Sequence, residues 1–195
     1  MKATRAATRR EMRAARAALG VGERLAAADA LADRVASRPE LRAPGYVAGY
    51  WAIGGELPLH RVQTRLAPGQ VWCLPVVQGD ATLRFAPWRA GDPTVANRFG
   101  IPEPDVGPRA TLDASELSVV LVPLVAFDAG GHRLGMGGGY YDRTFAFRRT
   151  TAAPPWLVGV GYALQEVADA GARDWDVRLD AVVTERGWHG PAFRG

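Results

Sequence analysis

Between residues 118 and 149 an apolar run, a cluster of glycines and a polar stretch without breakers follow one another directly. That succession restricts the fold more than any other part of the chain. Ser118-Val119-Val120-Leu121-Val122-Pro123-Leu124-Val125-Ala126-Phe127 reads as a strand buried on both faces. Six of the ten residues from Gly130 to Gly139 are glycine. Glycine brings no side chain to a core and loses the most backbone entropy on folding, so this density makes sense where backbone N–H groups close around a ligand. From Tyr140 to about Arg149 the chain is expected to be helical. A buried strand, a glycine loop and a helix start together make an anion cradle: N–H groups face outward and the helix dipole favours negative charge. Arg133 and Asp142 at its edges suggest a polyanion that carries a metal.

The loop matches neither common nucleotide fingerprint. A Walker loop needs a lysine after its last glycine, and none follows here. A dinucleotide-binding Gly-x-Gly-x-x-Gly can be laid on Gly135 and Gly137, but Tyr140 then stands where the third glycine belongs. A plain glycine turn between strand and helix is the alternative, and six glycines exceed what one turn needs.

Around this unit the pattern alternates. Helices are expected over 3–19 and 23–37, the second with Leu25, Ala28, Leu31, Ala32 and Val35 on its apolar face. A strand over 46–52, a short helix at 57–66 and a strand over 71–77 follow. Residues 78–117 read as irregular, apart from a β ribbon holding Leu83 and Phe85. A strand at 157–162, a short helix near 165–170 and a strand at 179–184 complete the chain. No linker or repeat interrupts it. The expectation is one α/β domain over residues 1–195, three layers around a mainly parallel sheet.

Charge and cysteine content narrow the classes further. The lone Cys73 excludes a disulfide framework and reads as a buried, inert thiol. The start has no signal-peptide core, and no window approaches the roughly 20 apolar residues of a membrane span, so a cytoplasmic protein is expected. Residues 1–42 hold ten basic side chains, Lys2 among them, against five acidic ones, whereas the whole chain is only +4. Such a basic segment can steer an anion. No stacking aromatics or nucleic-acid motif accompany it, which argues against a nucleic-acid partner.

Four groups of residues are candidates for chemistry. Arg5, Arg9, Arg13 and Arg16 form one stripe of the first helix, either a solvated face or half of an anion site. Glu56 follows Gly54-Gly55 at the carboxyl end of the first strand, where ligand sites of parallel sheets gather; helix-start solvation is the other reading. Trp51 is either core or a flat face for a planar ring. Asp142 either complements the helix dipole or serves Mg²⁺, which with nucleotide phosphates takes only one or two protein carboxylates. His60, His132 and His189 are dispersed, so no zinc site is expected.

The segments Val122-Pro123-Leu124-Val125-Ala126-Phe127-Asp128 and Arg133-Leu134-Gly135-Met136-Gly137-Gly138-Gly139-Tyr140-Tyr141-Asp142-Arg143 resemble the signature of the 5-formyltetrahydrofolate cyclo-ligase family. The likeness extends to Arg5 and Arg9, to Glu56, to Ile101-Pro102-Glu103-Pro104 and to the tail from Asp176 to Glu185. It implies an α/β fold related to sugar-phosphate isomerases and CoA transferases. It also implies an ATP- and Mg²⁺-dependent conversion of 5-formyltetrahydrofolate to 5,10-methenyltetrahydrofolate. By the same resemblance Arg5 and Arg9 meet the ATP phosphates, and Arg133, Leu134, Gly135, Met136, Gly137, Gly138, Gly139, Tyr140 and Tyr141 wrap the triphosphate. Asp142 holds Mg²⁺, while Trp51, Glu56, Met136 and Tyr140 line the folate site. Arg133, Tyr140 and Glu56 are then the residues at the reacting groups. The implied protein is a monomer whose partner is the folate, with neither membrane nor nucleic acid. Three positions depart from the family pattern: Arg5 for lysine, Leu124 for glycine, and Trp175 where a histidine commonly precedes Asp176. A family member with another substrate, or a non-catalytic nucleotide- or RNA-binding module, are the alternatives.

Overall fold

The computed structural model describes residues 4–191. Ala3, where the first helix is expected to begin, and the basic Lys2 before it lie outside them. Helix α1 (Arg5–Ala17) opens at Thr4, whose hydroxyl accepts a hydrogen bond from the Ala7 N–H. Helix α2 (Val21–Ala36) follows at once, its start closed by the Glu23 carboxylate on the Gly20 N–H at 2.7 Å. Ala27, Ala28, Leu31 and Ala32 are its buried stripe, while Leu25 stays exposed.

Strand β1 (Gly45–Ala48), the single turn α3 (His60–Gln63) and strand β2 (Gln70–Val77) come next. Strand β3 (Leu83–Pro87) returns antiparallel to β2, which is the ribbon expected around Leu83 and Phe85. The segment expected to be irregular holds a further small ribbon, β4 (Thr94–Ala96) against β5 (Pro102–Pro104). Glu103 ties it to the end of β2, its Oε2 accepting from the Val77 N–H at 3.1 Å and from Asn97 Nδ2 at 3.2 Å.

The apolar run beginning at residue 118 does not stay in the sheet to Phe127. It forms β6 (Leu117–Pro123), leaves at Leu124, and makes a separate hairpin of β7 (Ala126–Phe127) and β8 (Arg133–Leu134). The glycine run therefore serves two purposes. Gly130 and Gly131 turn this hairpin; at Gly131 φ is +80° and a Cβ would lie 2.8 Å from the Leu179 carbonyl oxygen, so only glycine fits. Gly135 to Gly139 form the loop proper. Helix α4 (Tyr140–Thr144) then lasts five residues rather than ten. Phe145 leaves the helical conformation to bury its ring, and a 3₁₀ turn carries the chain on over Ala146–Arg149.

Strands β9 (Trp156–Val160), β10 (Ala181–Val183) and β11 (Trp188–His189) complete a seven-stranded sheet of order β11-β10-β9-β6-β1-β2-β3. All neighbours pair in parallel except the two edge strands, β3 on β2 and β11 on β10. The helix expected near 165–170 is a 3₁₀ turn over Ala163–Gln165. Residues of β6 alternate between the two faces, as a strand buried on both sides requires. Val119 and Leu121 pack with α2 and α3; Val120 and Val122 pack with Phe85, Phe127 and Phe145 under the hairpin and α4. Among the described residues no helix is long and apolar enough to cross a membrane.

Candidate active site

The carboxyl ends of parallel strands leave a crevice where the chain turns away from the sheet, and ligands of open α/β folds settle there. Here β1 runs out into Tyr50, Trp51 and the Gly54-Gly55-Glu56 turn, β2 ends at Val77, and β6 ends at Pro123. The first helix and the glycine loop close over them. The open cavity between them measures about 680 Å³. Of the residues expected to meet ATP, folate or Mg²⁺, all but Leu134 line it; of the arginine stripe, Arg13 and Arg16 do not. Arg5, Arg9, Trp51, Glu56, Arg133, Gly135, Met136, Gly137, Gly138, Gly139, Tyr140, Tyr141 and Asp142 all face it. Leu134 does not: its side chain is fully buried in the core and its carbonyl oxygen accepts the Val125 N–H at 2.8 Å, so it anchors the hairpin instead.

One part of the lining is cationic. Arg9 donates through Nε to the Gly135 carbonyl at 2.7 Å and lies 3.6 Å from where a Cβ on Gly137 would be, at φ +107°. Arg9 is thus threaded into the loop, and the left-handed backbone at Gly137 is what calls for glycine there. Arg5 donates through Nη1 to Asp176 Oδ2 and to the Gly171 carbonyl, both at 2.8 Å. Burial, followed by the nearby charges of Arg5 and Arg173, holds the Arg9 pKa below its ordinary value, with Asp176 acting against them. Like charges gathered this way are relieved by an anion.

Arg133 is held from both sides and is only 6% exposed. It donates through Nη1 to the Val177 carbonyl at 2.6 Å and through Nη2 to Asp142 Oδ1 at 2.8 Å. The same Oδ1 accepts the Val177 N–H at 3.0 Å. This knot joins β8, α4 and the segment after Asp176, so Arg133 braces the loop as well as facing the cavity. Helix α4 is too short for a strong dipole, and Gly139 at its start is left-handed with φ +69°. Loop N–H groups and arginines, rather than the helix, must therefore provide the positive field expected from the sequence.

The other part is apolar and aromatic. Trp51 meets Trp88 edge-on at 5.7 Å, and Tyr140 meets Phe99 edge-on at 5.8 Å, with the Tyr140 hydroxyl bonded by Arg98. Met136 is exposed at the rim. Glu56 sits on this side with its side chain 9% exposed. Its Oε2 accepts the Ile53 N–H at 3.2 Å, and Arg16 Nη2 lies 3.8 Å from its Oε1. Burial raises its pKa above the usual carboxylate range, opposed by the Ile53 N–H and Arg16.

Arg16, expected on the anion stripe, is buried beside Glu56 instead. Phe99, Arg173 and Trp175 also line the cavity without having been assigned a role. Trp175 was visible only as a departure from a family pattern; it is 56% exposed, with Arg173 over its ring at 5.2 Å. Cys73 is buried, its pKa pushed up to about 12 by desolvation. Among the described residues no group of three or more histidines, cysteines or carboxylates could hold a metal by itself.

Fold and cavity together define an α/β protein that can hold a polyanion against arginines and loop N–H groups, beside a ligand with a flat apolar surface. Known proteins narrow that class. The chain belongs to the 5-formyltetrahydrofolate cyclo-ligase family, whose model matches residues 1–185. The 5-formyltetrahydrofolate cyclo-ligase of Haemophilus influenzae is 33% identical over 174 residues, 88% of this chain and 92% of that one. That of Escherichia coli K12 is 36% identical over 156 residues, 78% and 85% of the two chains. The 5,10-methenyltetrahydrofolate synthetase of Aquifex aeolicus, solved by NMR, superposes with a TM-score of 0.81 at 28% identity, covering 98% of this chain and 94% of that one.

Proposed function

We propose that this protein converts 5-formyltetrahydrofolate to 5,10-methenyltetrahydrofolate with consumption of ATP. The observation that carries the reading is the composition of the cavity wall. Arginines and a glycine loop share it with aromatic rings and Glu56, and among the described residues neither serine, threonine, cysteine, histidine nor lysine lines it. A reaction that needs no protein nucleophile suits such a wall. The formyl oxygen attacks the γ-phosphorus, the bond to the β-phosphate oxygen breaks and ADP leaves. N10 then attacks the activated formyl carbon, the carbon–oxygen bond breaks, phosphate departs and N10 loses its proton. Phosphoryl transfer of this kind depends on positioning and charge neutralisation.

Arg9, Arg5 and the N–H groups of Gly135 to Gly139 would hold the phosphates, with Arg133 fixing the loop that carries them. Asp142 fits a single-carboxylate Mg²⁺ site, because both of its hydrogen bonds fall on Oδ1; Mg²⁺ would offset the charge that builds on the transferred phosphoryl group. Glu56, buried and acceptor-only when ionised, would orient the folate through its N–H donors, with Trp51, Met136 and Tyr140 along its rings. The same reading takes residues 1–195 as one domain of the fold type shared with sugar-phosphate isomerases and CoA transferases. It acts as a cytoplasmic monomer on a small molecule, without membrane or nucleic-acid partners.

Purified protein mixed with 5-formyltetrahydrofolate, ATP and Mg²⁺ is expected to develop the near-ultraviolet absorbance of the methenyl product. ATP binding without product would reject this substrate in favour of another within the family.

A further inference from the structure

Arg16 belongs to the arginine-rich first helix, yet it is 2% exposed, where arginine is seldom found unless paired. A buried guanidinium is costly unless its donors are satisfied. Its Nε donates to the Gly54 carbonyl at 2.9 Å and its Nη1 to the Leu124 carbonyl at 3.4 Å, while Nη2 lies 3.8 Å from Glu56 Oε1. The first carbonyl lies in the turn that carries Glu56. The second lies where β6 leaves the sheet for the hairpin that runs into the glycine loop. Gly55 is left-handed at φ +81°, and a Cβ there would come within 3.4 Å of Arg16 Cγ, so the arginine stem packs flat on the turn. Arg16 does not line the cavity. Apolar residues of similar volume often replace buried ion pairs without loss of stability. A cation at this spot therefore asks for a reason beyond folding.

We propose that Arg16 is a positioning residue for the folate half of the site: its guanidinium fixes the Gly54-Gly55-Glu56 turn and keeps the Glu56 carboxylate charged and directed at the ligand. This rests on the assignment of Glu56 to the folate. The groups facing Glu56 are Arg16 from α1, Tyr50 beyond β1, Tyr141 from α4 and the Ile53 N–H. Arg16 itself faces Arg13 and Tyr162, and Arg24 of α2 lies against Gly55. Arg16 is the cation that opposes the effect of burial on Glu56. Without it only the Ile53 N–H does so, and Glu56 takes up a proton at a higher pH.

The test compares Arg16→Gln, Glu56→Gln and the double variant in steady-state turnover across pH. For R16Q the acid limb of kcat/KM for the folate should move up by about one pH unit. Activity should recover above that limb, and the KM for ATP should stay within about twofold of wild type. Adding R16Q to E56Q should then cost little more, since both act through one carboxylate. A loss equal at every pH, with both KM values raised, would overturn the proposal and leave Arg16 a structural residue. A wild-type folate KM in E56Q would overturn the Glu56 assignment and this proposal with it. An impaired E56Q beside an unshifted R16Q would overturn this proposal alone. Should R16Q fail to fold, Arg16→Lys keeps the charge without the fork, and its acid limb should stay within about half a unit of wild type. A full-unit shift in R16K would also refute the role.

Discussion

Replacing Arg133 by alanine separates a brace from a phosphate ligand. The substitution removes two hydrogen bonds, to the Val177 carbonyl and to Asp142 Oδ1, from a residue that is 6% exposed. Bonds to charged groups contribute about 1.5–3 kcal/mol each, and breaking a fully buried pair costs about 3–5 kcal/mol. The Asp142 side chain is 23% exposed, so water can reach the orphaned carboxylate and the cost falls at the low end of that range, about 3 kcal/mol. For a chain of this size each kcal/mol lowers Tm by about 2–4 °C, which puts the expected drop at roughly 6–12 °C. Thermal unfolding followed by circular dichroism, with and without ATP, measures it directly. ATP should stabilise the variant less than wild type, because the loop that Arg133 braces no longer holds its shape. A Tm change below about 2 °C together with lost ATP affinity would refute this account, since Arg133 would then be free to serve the phosphates rather than bound to Asp142 and Val177.

Three further outcomes follow from the same geometry. Burial raises the Glu56 pKa, so its contribution to stability is fully present below the unfolded carboxylate pKa and is lost as pH rises through the folded value. Glu56→Gln should accordingly raise Tm at pH 7–8 and leave it nearly unchanged near pH 4, in calorimetric scans at the two pH values; equal Tm changes at both would contradict the burial argument. The native Cys73 thiol, with its pKa near 12, should resist alkylating reagents until the protein unfolds, so labelling at native pH faster than global opening would show that β2 is not closed over it. Gly137→Ala forces a side chain into φ +107° against Arg9 and should cost about 1–3 kcal/mol of local strain. Its KM for ATP should rise several-fold with little change in that for folate, and a change confined to folate would mean the loop faces the other ligand.

Much of this architecture follows from adjacent residues. Thr4, Gly20 and Glu23 set the helix starts by local capping, and the apolar run from 118 gives a strand covered on both sides as far as Pro123. The density of glycine from 130 to 139 announced backbone close to a ligand, although the turn at Gly131 answers to the Leu179 carbonyl instead. Lengths were less legible. Nothing in residues 140–149 breaks a helix, yet the burial of Phe145 under the sheet ends it after one turn, because packing outweighs propensity. Residues 78–117 hid a ribbon for a similar reason: Glu103 pairs it to Val77, a contact with no local trace.

The sequence by itself determined the chemistry available to this protein: a parallel sheet, a glycine loop, cationic side chains before it and one carboxylate after the first strand. These are properties of residue type and short spacing, which neighbours along the chain express directly. Tertiary structure alone decided how the arginines divide their work. Arg9 threads the loop, Arg5 pairs with Asp176, Arg133 braces Asp142, and Arg16 sinks beside Glu56. One helical stripe carries three of these four, and its repeat treats them as equals. What separates them is which turn, loop or carbonyl each meets when α1 packs against β7 and the turn at Ala163–Gln165, and that depends on contacts between segments far apart in the chain.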